Sequence, residues 1–358
     1  MRLSRRGFLA AFPALLAAAC SRPGSSAAPQ TFATRGRNVQ VLDPDLRLAV
    51  PRRAMAPSSV TGFADRFGVD VTFVPPLSAA QFARGTVDVV MVDQETLAGV
   101  IDQDQVEPID KALVANRKLI GPPFDDPPFD RGNAHSVPKD YTVVGFAWAH
   151  RAGVRAPRTW AGLFRAAALL PHQVAVPDDP AVVVGAALVA AGHDWNSDSS
   201  SDLDDARAVL LPLRGLIEIE GTVETGRLHG RGAVIATGAG YAQPASGVRF
   251  VVPADGTVAR PRLLCIPAFA PDPVSAHAWL NHVLDPLTAA ADTEYTDRAT
   301  PVQPAMYALP PALLANPAVF PPQVPPAPLT FLDISASGLE ARADIWQEMV
   351  AAAGTRNR

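Results

Sequence analysis

From Leu46 to Ile101 the chain repeats one rhythm: a short apolar run, a turn residue, and a short helical stretch. Leu46–Val50, Val69–Val74 and Val87–Val92 read as strands, being short and rich in β-branched residues. Pro57–Phe67 closed by Gly68, Ser78–Arg84 ending at Gly85, and Gln94–Ile101 read as helices. Val87–Val92 is mostly apolar, as expected of a strand buried on both faces of a parallel sheet. Strands that alternate with helices require right-handed crossovers, so this part is an α/β unit.

A Pro- and Asp-rich loop, Gly121–Asn133, and a strand at Val143–His150 lead into a second block of the same class. Thr159 caps a helix over Trp160–Leu169, and Val174–Val176 is a short strand. Asp178 and Asp179 precede the helical run Ala181–Ala191, and Asp202 caps a helix to about Leu213. Ile217–Glu220, Ala233–Ile235 and Val248–Val252 are strand candidates; Leu263–Ile266 reads as a buried strand, and a helix follows near Val274–Leu284. Leu309–Pro328 holds eight of the 36 prolines, which forbids regular structure and predicts an extended strap. Leu339–Ala353 reads as a closing amphipathic helix. A length of 358 residues and an apolar content of 48% suit two units, each with its own core.

The first twenty residues have a different character. Arg5 and Arg6 precede an apolar run too short to span a bilayer, which predicts an export signal of the twin-arginine type. The run ends in Leu16-Ala17-Ala18-Ala19-Cys20, similar to a bacterial lipoprotein processing site; cleavage near Ala19 in an unlipidated secreted chain is the other reading. On the first reading Cys20 carries the lipid, Ser21 begins a polar tether, and the protein works outside the cytoplasmic membrane. Only Cys265 then remains, within Leu263-Leu264-Cys265-Ile266; no internal disulfide is expected, and a buried structural role is expected for it. The formal charge of −4 becomes −7 when Arg2, Arg5 and Arg6 leave with the signal, which argues against nucleic acid as a partner.

Motifs for covalent or metal chemistry are not found. There is no Gly-x-Ser-x-Gly elbow, no His-Glu-x-x-His and no Walker loop; Gly230-Arg231-Gly232 and Gly238-Ala239-Gly240 do not complete a dinucleotide fingerprint. His277 and His282 are five apart, the wrong spacing for one helical face. Neither catalysis, nor a metal, nor a cofactor is expected. Trp160, Trp346 and Trp148 are expected in the core.

Phe63-Ala64-Asp65-Arg66-Phe67-Gly68-Val69-Asp70-Val71, Val87-Asp88-Val89-Val90, Val106-Glu107-Pro108-Ile109-Asp110, Ser136-Val137-Pro138 and Thr159-Trp160-Ala161-Gly162-Leu163-Phe164 follow one another in a family order. In that order the chain resembles the bacterial extracellular solute-binding proteins of the spermidine/putrescine type, which serve ABC importers. The resemblance implies an α/β, two-lobe periplasmic-binding-protein fold of type II, with mixed sheets flanked by helices and a ligand cleft between lobes. Carried over, lobe 1 is 44–142 plus 261–305, and lobe 2 is 143–260 plus 306–358, after a signal at 1–20 and a tether at 21–43. The partners implied are a small polar solute and a membrane permease, with the receptor a monomer.

The family's aromatic ligand box is largely missing. Pro51-Arg52-Arg53-Ala54, Ala236 and Ala299 stand where the resemblance leads one to expect aromatics, and Val182 replaces an acidic residue. For a polyamine-like cation the candidate contacts are Asp179, Asp93, Glu95 and Tyr141, through charge-assisted hydrogen bonds and cation–π attraction. For an anionic or zwitterionic solute they are Arg260, Arg262 and Thr237, the last opening a Gly-rich helix start. A sensor or envelope interaction lipoprotein on the same fold is the third reading.

Overall fold

The computed structural model describes residues 31–33, 39–82, 84–150, 155–224, 226–243, 247–322 and 329–351; the leader, Cys20 and most of the tether lie outside them. An antiparallel pair, β1 (Thr31–Ala33) and β2 (Val39–Val41), precedes the main fold. In β3 (Asp45–Ala49) Leu46 and Leu48 are fully buried while Asp45 and Arg47 are exposed. Helix α1 (Pro57–Phe67) starts on a proline and stops at Gly68, whose φ of 68° is a left-handed cap that glycine adopts without strain. β4 (Asp70–Phe73), α2 (Ala79–Phe82), β5 (Val89–Asp93) and α3 (Gln94–Asp102) complete the alternation. β4, β3 and β5 run parallel in that spatial order.

The chain then crosses to a second core on β6 (Val137–Ala149), a thirteen-residue strand buried almost throughout. Around that core lie α4 (Trp160–Leu169), β7 (Val174–Val176), α5 (Pro180–Ala191), α6 (Ser200–Leu210), β8 (Glu218–Ile219), β9 (Ala233–Thr237) and β10 (Val248–Val251). Thr159 caps α4 by accepting from the Gly162 N–H at 3.0 Å. The chain returns on β11 (Thr257–Cys265), followed by α7 (Pro273–Val283), α8 (Pro286–Thr296), the single turn α9 (Pro311–Leu314), β12 (Leu329–Thr330) and α10 (Ala336–Val350). The sheet order is β4-β3-β5-β11-β6-β9-β7-β8, with β10 on β6 and β12 on β11; it is a mixed α/β sheet, as the sequence implied.

Several local readings are corrected. Helix α6 begins at Ser200 with Ser199 before it, and Asp202 sits in its first turn, accepting from Ser197 Oγ at 2.6 Å. Ser199 makes no side-chain cap hydrogen bond to the helix. α8 was not anticipated, although Asp285 caps it and Pro286 opens it. Proline did not exclude helix from the strap, because α9 places Pro311 at its start, where an N–H is not needed. The segment from 306 onward is not one second-lobe unit: Met306, Leu309, Val319 and Phe320 pack into the first core, while Ile345, Trp346 and Met349 of α10 pack into the second. Trp160, Trp346 and Trp148 are buried in the second core, as expected. Cys265 is buried and unpaired, and burial pushes its thiol pKa up.

The two long strands β6 and β11 serve both cores. Val143 and Ala259 belong to the first; Val144 and Val258, one residue away, belong to the second. Beside this change of core lies a buried ion network. Asp140 accepts from Arg262 at Nε (2.7 Å) and Nη2, and from Arg298 Nε at 2.7 Å, while Lys139 Nζ lies 2.9 Å from it and 3.1 Å from Asp292. Asp292 also accepts from the Ala56 N–H and Ser59 Oγ, both at 2.7 Å, which ties α1 and α8 to the strands. Desolvation alone would raise the Asp140 pKa, but Arg262, Lys139 and Arg298 outweigh it and hold it well below the usual carboxylate range.

Two measurements test this account. Helix α5 is buried over Val182–Leu188, and a methyl on Gly185 would run into the Trp195 indole at Nε1. Gly185→Ala gains about 1 kcal/mol of helix propensity, but overpacking costs about 1–3 kcal/mol; the urea midpoint should fall. Asp140→Asn strands Arg262 and Arg298, while Lys139 keeps Asp292, and should cost about 3–5 kcal/mol in urea unfolding. Because the Asp140 pKa is lowered on folding, its contribution is present above the ordinary Asp range and is lost only as pH falls below it. Acid unfolding of Asp140→Asn should therefore lack that low-pH component.

Candidate functional site

Strand alternation divides the residues of the crossing strands between two faces. Arg260 pairs with Thr142 and Arg262 with Asp140, so these four share one face, while Tyr141 and its partner Pro261 point to the other. β5 pairs with β11 so that Asp93 stands opposite Arg262, and α3 begins at once with Gln94 and Glu95. From the second core, α5 starts beside the same face. Asp179 caps it, accepting from the Val182 N–H at 3.1 Å, because a short carboxylate reaches the free amides of a first turn.

Arg260 is where these pieces meet. Its Nη1 lies 2.9 Å from Glu95 Oε1 and 3.9 Å from Asp179 Oδ2, and its Nε donates to Glu224 Oε1 at 2.8 Å. Glu95 comes from the first-core side; Asp179 and Glu224 come from the second. The Arg260 side chain is 17% exposed, against 46% for Glu95, 24% for Asp179 and 46% for Glu224, so the cluster is partly open to water. Burial raises the pKa values of Glu95 and Asp179, with Arg260 opposing in both cases. Burial lowers that of Arg260, but Glu95, Glu224, Asp179 and Asp93 outweigh it and the net shift is upward.

The cation candidates Glu95 and Asp179 and the anion candidate Arg260 thus form one ion cluster, and Asp93 adds to its negative field. One guanidinium against three carboxylates leaves an excess of negative charge, which favours a positively charged group. Arg262 is bound to Asp140 through two nitrogens. Tyr141 lies outside this cluster: it is 7% exposed and its ring packs 4.4 Å from that of Phe124, lining an apolar cavity of about 390 Å³ with Pro122, Met306 and Phe320. Thr237 is 2% exposed, and Gly238–Tyr241 forms a short 3₁₀ turn in place of the helix start expected there. The Ala239 N–H in that turn donates to Thr142 Oγ1 at 3.2 Å, and Gly238 lies flush against the Ala318 carbonyl. Arg52 stacks over the Phe73 ring at 5.4 Å.

Glu224, Asp140 and Arg298 were not foreseen. Glu224 lies 36 residues from Arg260 and Asp140 lies 122 from Arg262; no local motif links either pair. Among the described residues, no group of three or more His, Cys, Asp or Glu is arranged to hold a metal ion. No helix among them is long and apolar enough to cross a membrane.

Comparison with known proteins agrees with this architecture. A putrescine/cadaverine-binding protein of Pseudomonas aeruginosa is 24% identical over 286 residues, covering 73% of this chain and 79% of its own. A spermidine/putrescine-binding periplasmic protein of Haemophilus influenzae is 26% identical over 253 residues, covering 67% and 68%. The crystal structure of a spermidine/putrescine ABC transporter substrate-binding protein from Streptococcus pneumoniae superposes with a TM-score of 0.79 at 20% identity, covering 87% of this chain and 99% of that one. Residues 77–321 match the family described as bacterial extracellular solute-binding protein, and the chain belongs to that family.

Proposed function

We propose that this chain is the substrate-binding subunit of an ABC importer, taking a small amine-bearing cation of the polyamine class into the recess around Glu95, Asp179 and Glu224. The observation that carries this reading is the convergence of three carboxylates, from both sides of the crossing strands, on one cationic group. An ammonium group is a compact donor that such a cluster satisfies with charge-assisted hydrogen bonds. The curated relatives are receptors for putrescine, cadaverine or spermidine, which supports the same solute class. An anionic solute has less support, since Arg260 and Arg262 are both engaged by carboxylates.

In this reading a solute that touches both sides favours the closed arrangement, because it gains contacts there that the open one lacks. A membrane permease reads the closed receptor. A lipid on Cys20 would keep the monomeric receptor at the membrane, raising its effective concentration near the permease.

Thermal melting of the chain lacking residues 1–20 tests the proposal. Putrescine, cadaverine or spermidine at about one hundred times its dissociation constant should add about 2.7 kcal/mol of stability. Asp179→Asn should abolish the shift yet fold normally, since Asn also caps a helix and only the charge is lost. A shift with phosphonates or dicarboxylates and none with amines would overturn the solute class.

The pH dependence has a definite sign. Burial raises the pKa values of Glu95 and Asp179, so their contribution to folding is present below their ordinary values and lost as pH rises through the raised ones. A bound cation favours their ionised forms. Putrescine affinity should therefore fall on acidification at a higher pH than ordinary carboxylates would give, with proton release on binding in that range. Calorimetry in two buffers of different ionisation enthalpy reads both effects.

A further inference from the structure

Arg260 fills the position that the carboxylates of the recess create, and it does so from a fixed base. Its backbone is held in the β6–β11 pairing, and its carbonyl accepts from Arg298 Nη2 at 3.2 Å. Arg298 is itself anchored on the buried Asp140. From that base the guanidinium spreads its nitrogens in a planar fork, reaching Glu95 on one side and Glu224 on the other at 2.9 and 2.8 Å. The charges match, and both sides of the recess are joined through one side chain of the chain itself.

We propose that Arg260 is a built-in cation that draws the two sides of the recess together when no solute is bound, and that an entering amine competes with it for Glu95, Asp179 and Glu224. The second half rests on the solute class proposed above; the first half does not. The device suits a receptor because its ion pairs are partly open to water. Pairs of that kind are individually weak, so a solute with its own ammonium groups is able to replace them. The neighbouring network, by contrast, is centred on carboxylates that are buried, Asp140 and Asp292, and keeps the base of Arg260 in place while the side chain is displaced. Arg260 thereby sets specificity as well: a solute gains only the difference between its own contacts and those the guanidinium gives up.

Small-angle scattering of the ligand-free chain lacking residues 1–20, at low ionic strength, tests the first half. Arg260→Gln and Glu95→Gln should each increase the radius of gyration, and the double variant should expand no further than the larger single effect. Wild type should expand in the same way at about 1 M salt, where the screening length falls to about 3 Å. Glu95→Gln removes only a half-exposed carboxylate, so it remains informative if Arg260→Gln fails to fold. Identical scattering from wild type and both variants would overturn the latch. Calorimetric titration with putrescine tests the second half: Arg260→Gln should bind roughly tenfold more tightly, a difference well within reach of one removed competitor. Equal or weaker binding by Arg260→Gln would overturn the competition. Expansion of the ligand-free variants with no putrescine binding by any form would leave the latch standing and overturn the solute class instead.

Discussion

Asp140 is the point on which the arrangement of this protein turns. It is buried at the place where the crossing strands pass from one core to the other, and an isolated carboxylate there would carry a prohibitive desolvation penalty. Arg262, Arg298 and Lys139 remove that penalty, and Lys139 carries the network on to Asp292. Lys139 is Asp140's neighbour on β6, but Arg262, Arg298 and Asp292 come from distant parts of the chain, so the network forms only when α1, α8, β6 and β11 are all in place. Buried ion pairs of this kind add little net stability over an apolar core, but they penalise any arrangement that leaves one charge alone. Here that penalty fixes the register of β6 against β11.

That register decides which side chains face the carboxylate cluster around Arg260. With Arg262 on Asp140, Arg260 falls two residues along on the same face and meets the starts of α3 and α5. Both helix starts bring carboxylates, Glu95 in a first turn and Asp179 as a cap, where the helix dipole favours negative charge. The open carboxylates and the closed network differ in one respect that matters for function. Water reaches Glu95, Glu224 and Asp179, so their partner is exchangeable, whereas Asp140 is sealed.

The elements of the fold were largely legible from short stretches of sequence. Gly68 ends α1, Thr159 caps α4 and Asp179 caps α5, because each acts on amides or carbonyls within one helical turn. Local rules do less well in the Ser- and Asp-rich stretch 197–202, where Asp202 sits in the first turn of α6 instead of capping it, and α8 starts at Pro286 behind an Asp285 cap. The site was legible only in part. Glu95, Asp179 and Arg260 were named, but under opposite solute classes, and nothing local showed that they neutralise one another. Tyr141 could not be assigned a side without knowing the strand register.

The sequence by itself determined the α/β rhythm, the boundaries of most helices and the burial of the tryptophans, since these follow from interactions spanning a few residues. Tertiary structure alone decided that Arg260 faces carboxylates from both sides, that Arg262 belongs to a buried network, and that Tyr141 turns into the first core. The reason is geometric. Side-chain direction on a strand reverses with every residue, so a one-residue shift of β11 against β6 would exchange the faces of Arg260 and Pro261. That register is set by contacts between segments far apart in the chain.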